Sequence, residues 1–150
     1  HEFIKAAYDY QDNTFHSHPG YYIDYFEMRL AQLQVLHNLH YEIKKIRKMP
    51  KQALVIADYI MYMADYVVEM NIPDQQIEKL EEISDQMKQE ELPKTRDEFE
   101  GRALLYHILM DLEEFLVYKK RFVNGLDEKK LRIYWNQEME QKDRENELQE

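Results

Sequence analysis

At 150 residues this is one domain's worth of chain, with 44% hydrophobic residues to build a core and only three glycines and four prolines to make turns. That composition excludes a disordered tail and leaves too few turns for a β-sandwich or barrel, so a few long helices are expected. Thirty acidic residues against 20 basic ones give a net charge of −10, which phosphate backbones repel, and the absence of cysteine excludes disulfides, thiolate zinc sites and cysteine nucleophiles.

No run of about 18 apolar residues is present to span a bilayer. The chain opens His1-Glu2-Phe3, without methionine and already inside an apolar pattern at Phe3, Ala6, Ala7 and Tyr10. That start leads us to expect a piece of a longer protein. Residues 1–10 are predicted as a short helix and residues 11–19 as a polar connection. Across residues 21–46, Ile23, Phe26, Leu30 and Leu33 recur at spacings of three and four, and Leu36, Leu39, Ile43 and Ile46 continue the pattern. One long amphipathic helix is expected, with that stripe buried.

Met49-Pro50 breaks it, since proline removes a donor and biases its predecessor away from helix. Residues 52–70 are the least polar stretch and predict a helix with Ile56, Ala57, Ile60, Met63, Ala64 and Val67 on one side. A shorter, charged helix over 74–89 is anchored by Ile77, Leu80, Ile83 and Met87. Thr95 and Glu98 then have capping-box spacing. The helix they open runs to about residue 123 through Phe99, Ala103, Tyr106, Met110, Leu112 and Leu116. Gly125 suits its C-terminus and Asp127 the next N-cap. Leu131, Tyr134 and Trp135 form a last apolar group before a polar end from Glu140. The expected fold is all-α, an up-and-down antiparallel bundle of about four main helices, over residues 1–125, with a helical extension and polar tail at 126–150.

Chemistry-bearing constellations are sparse. Six histidines suggest a metal, but a di-iron bundle needs Glu-x-x-His on two helices and no histidine here follows a glutamate at that spacing. His37 and His40 lie one turn apart without a carboxylate beside them, and His16 and His18 flank a loop, so no metal or other cofactor is expected. Asp58 and Asp65 are carboxylates on an apolar helix and read as its wet edge. No nucleophile elbow or phosphate loop occurs, and an enzyme is not expected.

Two features remain. Twelve tyrosines are unusual, and Tyr59, Tyr62 and Tyr66 share one side of the apolar helix, either as rim packing or as a binding face for an aromatic ligand. Basic residues concentrate at Lys44, Lys45, Arg47, Lys48 and Lys51. They either complement a helix C-terminus or meet an anionic membrane surface. Antiparallel helices put that turn at the same end as Thr95, and residues 119–121 at the far end.

One block resembles a known family. Leu92-Pro93-Lys94-Thr95-Arg96-Asp97-Glu98-Phe99-Glu100 and Arg102-Ala103-Leu104-Leu105-Tyr106, with Leu112-Glu113, Leu116 and residues 119–122, are similar to the C-terminal domain of the putative aromatic acid exporter family of Gram-positive bacteria. Tyr10-Gln11-Asp12-Asn13-Thr14-Phe15 resembles its opening segment, and residues 52–58 its middle helix. Gly101 departs from the family pattern, where a larger residue is usual, and residues beyond 122 show no resemblance. The resemblance implies a soluble helical domain on the cytoplasmic side of the cell membrane, joined to transmembrane helices of the same polypeptide. It carries no catalytic motif. A second copy of the chain and the anionic lipid surface are the further partners expected.

Overall fold

In a computed structural model of this protein, residues 4–5, 20–126, 131, 135 and 148–149 are described. Four helices follow in order: α1 over Tyr21–Lys44, α2 over Gln52–Ala64, α3 over Asp74–Lys88 and α4 over Arg96–Asn124. No strand occurs among the described residues, and the fold is all-α. The helix and connection expected before residue 20, the cap at Asp127 and most of the polar end lie outside the described residues.

Helix α4 is the axis, and α1, α2 and α3 all pack on it. Its length, with leucines and isoleucines on more than one side, suits that place. Leu105, Ile108, Leu109, Leu112, Phe115 and Leu116 are all buried. Antiparallel pairing with α1 is visible from end to end. Tyr21 meets Phe122 with ring centroids 5.6 Å apart, Gln32 donates to the Phe115 carbonyl at 2.8 Å, and His107 lies near Glu42. Helices α1 and α2 do not approach each other closely. A cleft therefore opens between them, with α4 as its floor.

That arrangement corrects two expected stripes. Since α4 is the one described helix that α1 packs on, the buried positions of α1 are Tyr21, Met28, Gln32, Val35 and Leu39, whereas Leu33, Leu36 and Ile43 stay exposed. On α4, Phe99, Ala103 and Met110 likewise face water, and the buried ladder runs one position over, through Leu105, Ile108 and Leu109. The α3 anchors Leu80, Ile83 and Met87 are buried as expected.

Helix α2 ends at Ala64, not near Met70. Beyond it the chain tightens through bonds from Tyr66 N–H to Met63 and Val67 N–H to Ala64, then crosses the end of α4. At Thr95 the hydroxyl accepts from Glu98 N–H at 3.1 Å, but the Glu98 carboxylate accepts from Lys94 N–H at 2.9 Å, one residue earlier than a reciprocal box requires. That N–H holds the Glu98 carboxyl below its ordinary range. Gly125 caps α4 in a right-handed conformation, so its freedom at positive φ is unused.

Gly101 has a local reason. It is buried, and a Cβ built there would stand 3.1 Å from Pro50 Cγ, so a larger residue requires the α1–α2 turn to give by a few tenths of an ångström. A mid-helix glycine is unfavourable by about 1 kcal/mol against alanine. Two effects then oppose in Gly101→Ala, and denaturant unfolding should find it within about 1 kcal/mol of the parent. Gly101→Leu should lose about 1–3 kcal/mol by overpacking the turn.

Candidate functional site

The two ends of the bundle treat their cations in opposite ways. At the end where α1 begins, Lys119 of α4 is 4% exposed. Its ammonium donates to the carbonyls of Val68 at 2.7 Å and Glu69 at 2.5 Å. Both carbonyls lie beyond the end of α2, outside regular helix, and Lys119 supplies donors to them. Burial, and then the nearby Arg29, push its pKa down to about 7.

Around this point Tyr21 donates to the Glu69 carboxylate at 2.8 Å, and Trp135 Nε1–H donates to the Tyr21 hydroxyl at 3.1 Å. Tyr21, Met28, Phe122, Val123 and Trp135 form a buried cluster there, so Trp135 of the extension packs onto the bundle. Arg29 donates to the Tyr25 hydroxyl at 3.0 Å and to Gln32 at 2.7 Å. Arg29, Gln32, Tyr66 and Lys119 line the cleft between α1 and α2, whose cavity volume is about 10 Å³, room for one water molecule.

The tyrosine row is contiguous, with ring centroids 5.8 Å apart for Tyr59–Tyr62 and 5.1 Å for Tyr62–Tyr66. Its members differ in environment. Tyr59 is 2% exposed and donates to the Gln76 carbonyl at 2.6 Å, and burial pushes its hydroxyl well above the ordinary tyrosine range. Tyr62 is half-buried, with the Lys79 ammonium 3.8 Å from its ring centroid. Tyr66 is exposed at the cleft. Thus α3 covers one end of the row and leaves Tyr66 open.

At the opposite end, Lys44, Lys45, Arg47, Lys48 and Lys51 are all exposed. Lys45 pairs with Glu42 at 3.3 Å on the surface. The contact of Pro50 with Gly101 places this turn beside the start of α4, near Thr95, and Lys119 at the far end. The sequence pattern separated the ends but counted Lys119 with Lys120, which is half-buried and pairs with Asp74 at 3.1 Å, and with the exposed Arg121. Nothing short of the α1–α2 gap could have identified Arg29 and Gln32. Asp58 and Asp65 are exposed, and His37 and His40 are exposed on the outer side of α1. No group of three metal-ligating side chains is found among the described residues.

Asp111 is a separate strain on the fold. It is buried with Oδ2 lacking a hydrogen-bond partner, and His107 Nε2 stands 3.8 Å away. Burial raises its pKa, against an opposing pull from His107.

Residues 1–120 match the sequence pattern of a family described as the putative aromatic acid exporter C-terminal domain. Uncharacterized protein YqjA of Bacillus subtilis (strain 168) is 28% identical over 118 residues, which are 79% of this chain and 37% of that protein. The chain therefore spans little more than a third of that relative's length. A crystal structure of a putative membrane protein from Clostridium difficile 630 is similar with a TM-score of 0.67 and 28% identity, over 79% of this chain and 69% of that one.

Two predictions follow the buried charges. Lys119 has a native pKa of about 7 and an unfolded one of about 10.4, so between these the unfolded chain holds a proton that the native one lacks, and stability rises with pH. Lys119→Met leaves two carbonyls without their ammonium donor, for a loss of about 1–3 kcal/mol, and abolishes that rise. The melting-temperature gap between parent and variant should widen from about pH 7 to about pH 10. For Asp111 the native pKa is raised, so the stabilisation by its protonated form is present in acid and lost as pH rises. Asp111→Asn should raise the melting temperature near pH ~7 and do so less near pH ~4.

Proposed function

The chain belongs to the putative aromatic acid exporter C-terminal domain family, and from that membership we propose that it is a non-enzymatic accessory domain, joined to membrane helices of the same polypeptide and acting in their assembly or regulation on the cytoplasmic side of the cell membrane. No helix among the described residues is long and apolar enough to cross a bilayer, so the membrane-spanning part would be supplied by the rest of the protein.

The observation that carries this reading is the turn at residues 44–51. In a chain of net charge −10, five cations occupy eight positions with no acidic residue among them, and all five are exposed. A cation near an anionic leaflet contributes about 1 kcal/mol, so five reaching the surface contribute up to about 5 kcal/mol. Dipole complementation at the end of α1 would need fewer, at a few tenths of a kcal/mol each (about 0.3–1). The basic turn then lies against headgroups, and the end sealed by Lys119 points away. A second copy of the chain would meet α2 along its exposed residues Ala57, Met61 and Ala64.

A second reading, a sensor for an aromatic small molecule, is favoured by Tyr66 standing open beside Arg29 and Lys119. Against it stand the room for one water and the occupied Tyr59 hydroxyl.

The protein should bind phosphatidylglycerol vesicles at low salt and lose most of that binding at high salt, since screening acts within about 10 Å at moderate ionic strength. Replacing Lys44, Lys45, Arg47, Lys48 and Lys51 by glutamine should remove the low-salt binding, whereas replacing Lys120 and Arg121 should not. Benzoate should leave the melting temperature unchanged. A saturable rise lost in Tyr66→Leu would favour the sensor.

A further inference from the structure

The basic turn carries more than charge. Met49 lies within the run of cations and is 65% exposed, and Leu54, in the first turn of α2, is 71% exposed. Tyr41 and Ile43, in the last turn of α1, are 59% and 40% exposed, and the Lys44 ammonium lies 5.9 Å from the centroid of the Tyr41 ring. Large apolar groups gathered in water mark an interaction surface. Their neighbours decide its kind. Four of the five cations are lysines, which protein interfaces deplete because a compact ammonium is expensive to dry. A lipid headgroup layer keeps ammonium groups wet and anion-paired while apolar side chains beside them reach the acyl boundary.

Resting on the membrane-accessory reading above, we propose that the α1–α2 turn is an interfacial anchor for anionic bilayers, in which Lys44, Lys45, Arg47, Lys48 and Lys51 sit at headgroup level and Met49 and Leu54 insert beneath them. The two components are separable. Attraction by the cations brings the domain to the surface and is screened by salt. Insertion of Met49 and Leu54 removes apolar area from water and is not. The acidic residues facing the turn offset part of its charge: Glu42 pairs with Lys45, and Glu98, which accepts from Lys94 N–H, also feels the charge of Lys48.

The test compares the parent chain, a Met49→Ser/Leu54→Ser variant and the five-glutamine variant, by co-sedimentation with phosphatidylglycerol vesicles at low and high salt. All three are first shown to keep equal helicity by circular dichroism, which the exposure of every altered residue leads us to expect. The parent should retain a minor bound fraction at high salt, and the serine variant should reduce that fraction about tenfold while binding normally at low salt. An unchanged high-salt fraction in the serine variant overturns the insertion and leaves the electrostatic reading standing. Unimpaired low-salt binding by the five-glutamine variant overturns the electrostatic reading instead, and no vesicle binding by any chain overturns both. If the serine substitutions lower the protein's mass in solution and leave vesicle binding unchanged, the apolar side chains belong to a protein contact and the proposal fails.

Discussion

One end of this structure depends on the buried ammonium of Lys119. Past the end of α2 it donates to the carbonyls of Glu69 and Val68. A lysine drawn inward from the last turns of α4 brings its surroundings with it. The chain after α2 folds across the end of the bundle, Tyr21 closes on Glu69, and Trp135 closes on Tyr21. A buried ammonium with two carbonyls and, among the described residues, no direct carboxylate contact is an awkward group, and its lowered pKa records how strongly burial disfavours its charge.

The other end is built on the opposite principle. A glycine lets α4 approach Pro50, so the α1–α2 turn is braced without being covered, and its cations and Met49 remain in water. One end of the molecule thus spends its lysine on internal hydrogen bonds, and the other presents five cations outward. The docking role we propose falls to the end that is held in shape and left uncovered. Between the two, the cleft over α4 exists because α1 and α2 do not meet. Its small volume reflects side chains that already bond to one another: Arg29 to Tyr25 and Gln32, and Gln32 to Phe115.

Periodicity and punctuation sufficed for the class of fold, the order of the helices and the ends of α1, α3 and α4, because proline, glycine and capping signals act locally. They also placed Lys44 to Lys51 and Thr95 at one end, since antiparallel order follows from short connections. The faces of α1 and α4 were less legible. Both helices carry leucine on several sides, and only knowing that α4 is central and is the one described helix beside α1 tells Leu33 from Val35. Gln32 and Lys119 were illegible for a related reason. Each is a polar residue at a buried position, recognisable only once the carbonyl it serves, at Phe115 or Glu69, is in view. Tyr59 looked like its row-mates Tyr62 and Tyr66 until α3 was seen to cover it.

The central claim is that the turn at residues 44–51 is the lipid-facing end. Because the chain has no cysteine, a single one can be introduced and labelled without interference. A fluorophore placed at residue 47 and, in a second sample, at residue 124 can be exposed to phosphatidylglycerol vesicles containing nitroxide-labelled lipid. The account predicts strong quenching at residue 47 and none at residue 124. Quenching at residue 124 alone, or equal quenching at both, would contradict it.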